Sequence, residues 1–209
     1  MGIRVELYNL TANVAATYLQ RDSLDEVPEH LHDMLEDVEF NDIGETNNTG
    51  IPVPWMLYFG AEDFQMAQVM WDEDTVYNMA MPCTSVEKAR ERILAALPVF
   101  ERLAGDAALG REYWQEALDV LADLPYPFLA LDQAEWIGSN SEDPEVDARR
   151  YKAVYDAGVP SDANLINLCA YTENVAPYSH EEWTRLVTHF DWDNKRQMNA
   201  IVLGYGHAL

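Results

Sequence analysis

Hydrophobic and polar positions alternate at the start of the chain: Ile3, Val5 and Leu7 face Arg4 and Glu6, which predicts an amphipathic strand over 3–8. The period then changes. Leu24, Val27, Leu31, Met34, Leu35 and Val38 recur at helical spacing and fall within about 100° of one another on a helical wheel. Pro28 favours a first turn, so the regular helix should start near it, with 23–27 as the lead-in. GETNNTG, 44–50, is built of turn formers and predicts a loop. The apolar runs IPVPWMLYFG (51–60) and TVYNMAM (75–81) predict strands, with a third, QMAQVMW (65–71), between them. Asp72-Glu73-Asp74 is then a turn between strands.

Thr84 and Glu87 have capping-box spacing. The helix they announce places Ala89, Ile93, Ala96, Leu97 and Phe100 on one side, and Pro98 is expected to kink or interrupt it. A second helix over about 107–123 uses Tyr113, Trp114, Ala117, Leu118 and Leu121. PYPFLALDQAEWI, 125–137, predicts a buried strand. Further on, 145–157 has a helical pattern and 164–171 a strand pattern; Ser179 and Glu182 form another capping box, and 198–207 fits either helix or strand. Hairpin-like strands beside separate helices define the expected fold class, α+β: a single domain over 1–209 with a mostly antiparallel sheet and several packed helices.

Composition narrows the classes. With 209 residues, 48% of them apolar, the chain can bury a sizeable core. No apolar run approaches the roughly twenty residues of a membrane span. Arg4 and Glu6 interrupt the N-terminus, which lacks the apolar centre of a secretory signal, so a cytoplasmic location is expected. Cys83 and Cys169 are expected to be buried small apolar residues. Net charge is −24, from 37 acids against 13 bases. Such a field repels nucleic acid and anionic membranes and attracts a basic protein partner. The charge is also uneven. Residues 22–86 hold fifteen acids, and no Lys or Arg occurs from 22 to 87. Adaptation to high salt would explain an acidic surface, but a purely global adaptation would spread it evenly.

Catalytic signatures are missing from the sequence. His30 and His32 lie about 200° apart on a helix and cannot face one ion. His180 and His189 read as capping or surface residues. There is no H-E-x-x-H, Cys-x-x-Cys or G-x-S-x-G, and Gly204-Tyr205-Gly206 is a lone G-x-G at the end of the chain. A carboxylate pair suited to glycoside chemistry would arise by chance among so many acids. The expectation is therefore no catalytic residue, no cofactor and no metal, with an enzyme of unrecognised site as the competing class.

The acidic helix is the candidate site. Asp25, Glu26, Glu29, Asp33, Glu36, Asp37 and Glu39 fall opposite its apolar stripe. The pairs Asp25–Glu29, Glu29–Asp33 and Asp33–Asp37 repel across one turn, a cost of about 1 kcal/mol in all. A surface that tolerates this is suited to a positively charged partner. The partner-binding residues expected are Asp25, Glu26, Glu29, Asp33, Glu36 and Asp37, with Trp55, Tyr58, Trp136 and Trp183 as aromatic anchors.

In general character, and in the order strand, acidic helix, IPVPWMLYFG, TVYNMAMPC, helix pair, YPFLALDQAEW, the chain over residues 1–137 resembles bacterial immunity proteins. Those are cytoplasmic inhibitors that protect a cell from toxins delivered by neighbours, as in type VI secretion. The resemblance implies a protein that binds a cognate toxin domain and occludes its active or substrate-binding site. It rests on no signature motif, so it assigns no residue.

Overall fold

The computed structural model describes residues 4–14, 38–47, 53–72, 75–104, 106–132 and 193–194. They form an α+β arrangement around an antiparallel sheet. Strands β1 (Arg4–Leu10), β2 (Phe40–Asn47), β3 (Phe64–Asp72), β4 (Thr75–Ser85) and β5 (Phe128–Asp132) lie in the order β2-β1-β5-β4-β3. Three helices are described: a short α1 (Val53–Leu57) and the longer α2 (Val86–Ala104) and α3 (Ala108–Asp119). A 3-10 turn at Ala61–Asp63 leads into β3.

The register shows how the sheet is joined. β3 and β4 form a hairpin running from Phe64↔Pro82 to Asp72↔Thr75; of the turn expected at 72–74, residues 73 and 74 lie outside the described residues. β4 then changes neighbour. Its last residues, Cys83, Thr84 and Ser85, pair with Ala130, Leu129 and Phe128 of β5. Pro82 sits at this change-over, where a residue without an N–H least disturbs a ladder. β1 is an interior strand, with β2 on one side and the central β5 on the other.

Residues directly opposite each other in an antiparallel pair share a face. Leu7, Gly44, Leu129, Leu131 and Thr84 therefore lie on one face, and Glu6, Tyr8, Leu10, Ala130 and Cys83 on the other. The first face carries the helices: Trp55 of α1 lies over Gly44, and Arg92 of α2 bonds to Thr84. Leu7, Leu129 and Leu131 are fully buried there. Helix α2 contributes Ala89, Ile93 and Ala96, all fully buried, and α3 contributes Trp114 and Ala117, with Leu121 buried in the turn just after it. These are the stripes the 3.6-residue period predicted. Burying Ile93 alone contributes about 2 kcal/mol.

Four expectations need correction. IPVPWMLYFG is not a strand: Val53–Leu57 is helical and a Tyr58 N–H bond to the Trp55 carbonyl (3.2 Å) closes it. Pro54 sits in the first turn, where proline is tolerated. GETNNTG is not a loop throughout, since 44–47 complete β2. A Cβ at Gly44 would stand 3.1 Å from the Trp55 ring, so this glycine serves a close approach rather than a turn. The α2 cap is Ser85, not Thr84: its Oγ accepts the Lys88 N–H at 3.2 Å, while the Pro127 carbonyl takes the Val86 N–H at 2.9 Å. Finally, Pro98 does not interrupt α2, which runs on to Ala104. The bond Pro98 cannot donate belongs to the Leu94 carbonyl, and both residues are exposed, so water can replace it.

The helical wheel puts Glu39 on the acidic helix. It lies instead just outside β2, where it extends the ladder: the Thr11 N–H donates to its carbonyl (3.0 Å) and its N–H to Thr11 Oγ1 (3.1 Å). Val38, the last apolar residue of the expected 24–38 helix, is in a bend rather than a helix; residues 24–37, and the elements expected at 145–157, 164–171, 179–189 and 198–207, lie outside the described residues.

Candidate functional site

The six carboxylates expected to bind a partner, Asp25, Glu26, Glu29, Asp33, Glu36 and Asp37, all lie outside the described residues. So do Trp136 and Trp183, the histidines and Cys169. Of the remaining proposed anchors, Tyr58 is not at the surface. It is fully buried, and its hydroxyl donates to the Ala117 carbonyl at 2.8 Å, tying the end of α1 to α3. Burial pushes its ionisation well above the ordinary tyrosine value. Trp55 is half-buried against Gly44. Cys83 is buried in β4, as expected.

One carboxylate cluster has an internal cation. Asp63 is buried at the end of the 3-10 turn, and the Arg92 guanidinium reaches it from α2 while also pairing with Glu62. The same guanidinium donates through Nη1 to the Tyr58 carbonyl and to Thr84 Oγ1, each at 3.0 Å. Asp63 Oδ2 in turn accepts the Gly60 N–H at 2.8 Å, and the Asp63 N–H returns to the Gly60 carbonyl at 3.0 Å. A Cβ at Gly60 would lie 2.7 Å from Glu62 Oε2 and 2.9 Å from Arg92 Nη2, so a side chain there would break the clamp. The Glu62 carboxyl is held below its ordinary value, first by its own backbone N–H and then by Arg92 and Lys88, against the opposing effect of burial. This network joins 58–63, β4 and α2. Its geometry is that of a structural staple, with the donors and acceptors facing one another.

On the other face, acids gather round a tyrosine. The Tyr8 hydroxyl donates to Glu6 Oε2 at 2.6 Å. Its ionisation is pushed strongly upward by burial, then by that hydrogen bond, and by the charges of Glu6, Asp132 and Asp42. Asp132 is buried opposite Glu6 in the β1–β5 ladder. The edge of Tyr8 meets Phe40 of β2 at 5.6 Å and 88°, a favourable T-shaped contact. Glu39, Phe40, Asn41, Asp42 and Glu45 of this region are exposed, Phe40 to 44%. Among the described residues no group of three or more His, Cys, Asp or Glu could hold a metal ion.

Two structural residues had no usable sequence signal. Asn9 is fully buried; its Nδ2 donates to the Tyr126 and Phe128 carbonyls (2.8 and 2.7 Å), and its Oδ1 accepts the Tyr126 N–H (2.9 Å). Every polar group of its amide is satisfied, and the lead-in to β5 is fixed. Asp193 supplies α3 with the cap that Ala107 cannot, accepting the Leu109 N–H at 3.1 Å. Neither link is visible without the fold, because partners stand 117 and 84 residues apart.

No protein-family model matches the chain, and neither a curated protein nor a solved structure matches it. Among the described residues no helix is long and apolar enough to cross a membrane.

Proposed function

We propose that the chain is an acidic, cytoplasmic binding protein that neutralises a basic partner. More specifically, it acts as an immunity protein that occludes the active or substrate-binding site of a cognate bacterial toxin. One observation carries the reading. The chain holds −24 net charges, and no Lys or Arg interrupts residues 22–87. Of the cations that follow that stretch, Lys88 and Arg90 are exposed and Arg92 points inward to Asp63 and Glu62, while Glu39, Asp42 and Glu45 of the stretch itself are exposed. A surface of one sign steers an oppositely charged partner into contact and rejects like-charged ones.

The test uses a candidate toxin: the C-terminal domain of a large secreted protein encoded beside this chain. Co-expression should rescue cells that the domain alone kills. The association rate should fall roughly tenfold or more between low and high salt, as steering requires. Changing Glu29, Asp33, Glu36 and Asp37 together to Lys should slow association at low salt and leave the fold intact. Rescue without binding, or binding at a rate indifferent to salt and to those changes, overturns the proposal.

A further inference from the structure

We propose that Arg92 is a clasp on the open end of the β3–β4 hairpin, and that releasing the clasp lets the hairpin unzip locally from that end. The inference is independent of the binding reading. A two-stranded ladder is closed at its turn and frays where no turn joins the strands. In this hairpin the turn end is Asp72↔Thr75 and the open end is Phe64↔Pro82.

One guanidinium spans both feet of the open end. On the side entering β3 it pairs with Asp63, the residue just before Phe64, and with Glu62. Its Nη1 also donates to the Tyr58 carbonyl on that side, at 3.0 Å. On the side leaving β4, Nη1 donates to Oγ1 of Thr84, two residues past Pro82, again at 3.0 Å. The planar fork of arginine holds several acceptors at fixed angles, which the single ammonium of lysine cannot do.

The two feet are otherwise fixed in different ways. The β4 foot belongs to the rest of the sheet: Cys83, Thr84 and Ser85 pair with β5, and the Val86 N–H goes to the Pro127 carbonyl at 2.9 Å. The β3 foot is closed on itself. Asp63 Oδ2 accepts the Gly60 N–H at 2.8 Å, and the Asp63 N–H returns to the Gly60 carbonyl at 3.0 Å. This turn sets a buried carboxylate in place for the cation, and a buried carboxylate without its cation is costly, so the closed clasp is strongly favoured. Arg92 joins one foot to the other. With it released, β3 peels from β4 beginning at Phe64, while Cys83 to Ser85 keep their places beside β5.

Native-state hydrogen exchange on the full chain reads this along the ladder. Thr84→Val removes the bond on the β4 side and leaves every charge in place. Arg92→Lys keeps the cation and loses the fork. In both variants the protected amides of 64–67 and 79–81 should exchange roughly tenfold faster. Those of 69–70 and 76–77, near the turn, should change less, and those of Leu7, Ile93 and Leu131 should all change by one smaller factor. A single common factor across the hairpin, α2 and β1 would mean that Arg92 adds only to global stability, and overturns the clasp. Acceleration greatest beside the turn, or no change in either variant, overturns it too. If Arg92→Lys does not fold, Thr84→Val alone decides among these outcomes.

Discussion

The two faces of the sheet handle carboxylates in opposite ways. On the helix face, Asp63 and Glu62 meet Arg92, and every bond of the guanidinium described so far goes to a protein oxygen. On the other face, the charges acting on the Tyr8 hydroxyl are all carboxylates, those of Glu6, Asp132 and Asp42. Both sets of acids include members of, or lie next to, the long stretch without Lys or Arg. The difference shows that a run of one sign in sequence does not imply one sign in space. The chain borrows a cation from α2 to close the helix face, whereas the acids round Tyr8 act on it with one sign.

The largest expected effect breaks the helix side of that contrast. Arg92→Ala leaves Asp63 buried without its cation, and loss of one partner of a buried pair costs about 3–5 kcal/mol. Urea unfolding should show it as a lower midpoint with little change in slope. Arg92→Met with Asp63→Asn keeps the Gly60 bond and removes both charges, so it should cost clearly less than Arg92→Ala alone. If the double variant is the worse of the two, the pair is not the element holding 58–63 to α2.

A middle-sized effect sharpens the other side. Tyr8→Phe removes the hydrogen bond to Glu6 and should cost about 1 kcal/mol at neutral pH. Its signature is in pH. The folded-state ionisation of Tyr8 is raised above the unfolded value, so the folded protein holds that proton more tightly. The contribution is complete below about pH 10, the unfolded value, and is lost as pH rises through the folded one. Wild type should therefore lose stability steeply in alkali, and Tyr8→Phe less steeply. Equal alkaline slopes in the two proteins would remove Tyr8 from the account and leave the slope to Tyr58, whose ionisation is also raised.

How much of this was legible in sequence depends on what each residue responds to. β1 and the buried stripes of α2 and α3 follow from periodicity, and β3 and β4 from their apolar runs between turn formers. Leu57, Tyr58 and Phe59 are all fully buried in succession, and a run buried all round carries no period to separate helix from strand. The 44–47 segment reads as loop because its composition answers to the Trp55 ring and the sheet edge, not to strand propensity. Ser85 and Thr84 differ by one position, which spacing alone cannot resolve. Arg92 carries no sequence signal because it sits beside a helix stripe of apolar residues and its four oxygen partners come from two other segments, 58–63 and β4. The acidic surface was legible as charge, but the β2 bulge opposite Leu7 and Tyr8, which puts Asp42 and Glu45 on one face, exists only in the β1–β2 register.

The smallest effect tests whether the helix-face acids are really closed off. The Glu62 carboxyl is 62% exposed even though it touches Arg92, and exposed pairs contribute about 0–1 kcal/mol. Glu62→Gln should therefore cost under about 1 kcal/mol near neutral pH. Because the folded-state value is lowered, the contribution is present above the ordinary carboxylate range and is lost as pH falls through the folded value. Wild type and Glu62→Gln should converge in acid, whereas wild type and Tyr8→Phe differ in slope only in alkali. In an Arg92→Ala background the Glu62→Gln cost should shrink, since one of the influences that lower Glu62 is gone. A Glu62→Gln cost that persists unchanged in acid and in that background would mean that Glu62 acts through its shape against Gly60 rather than through its charge.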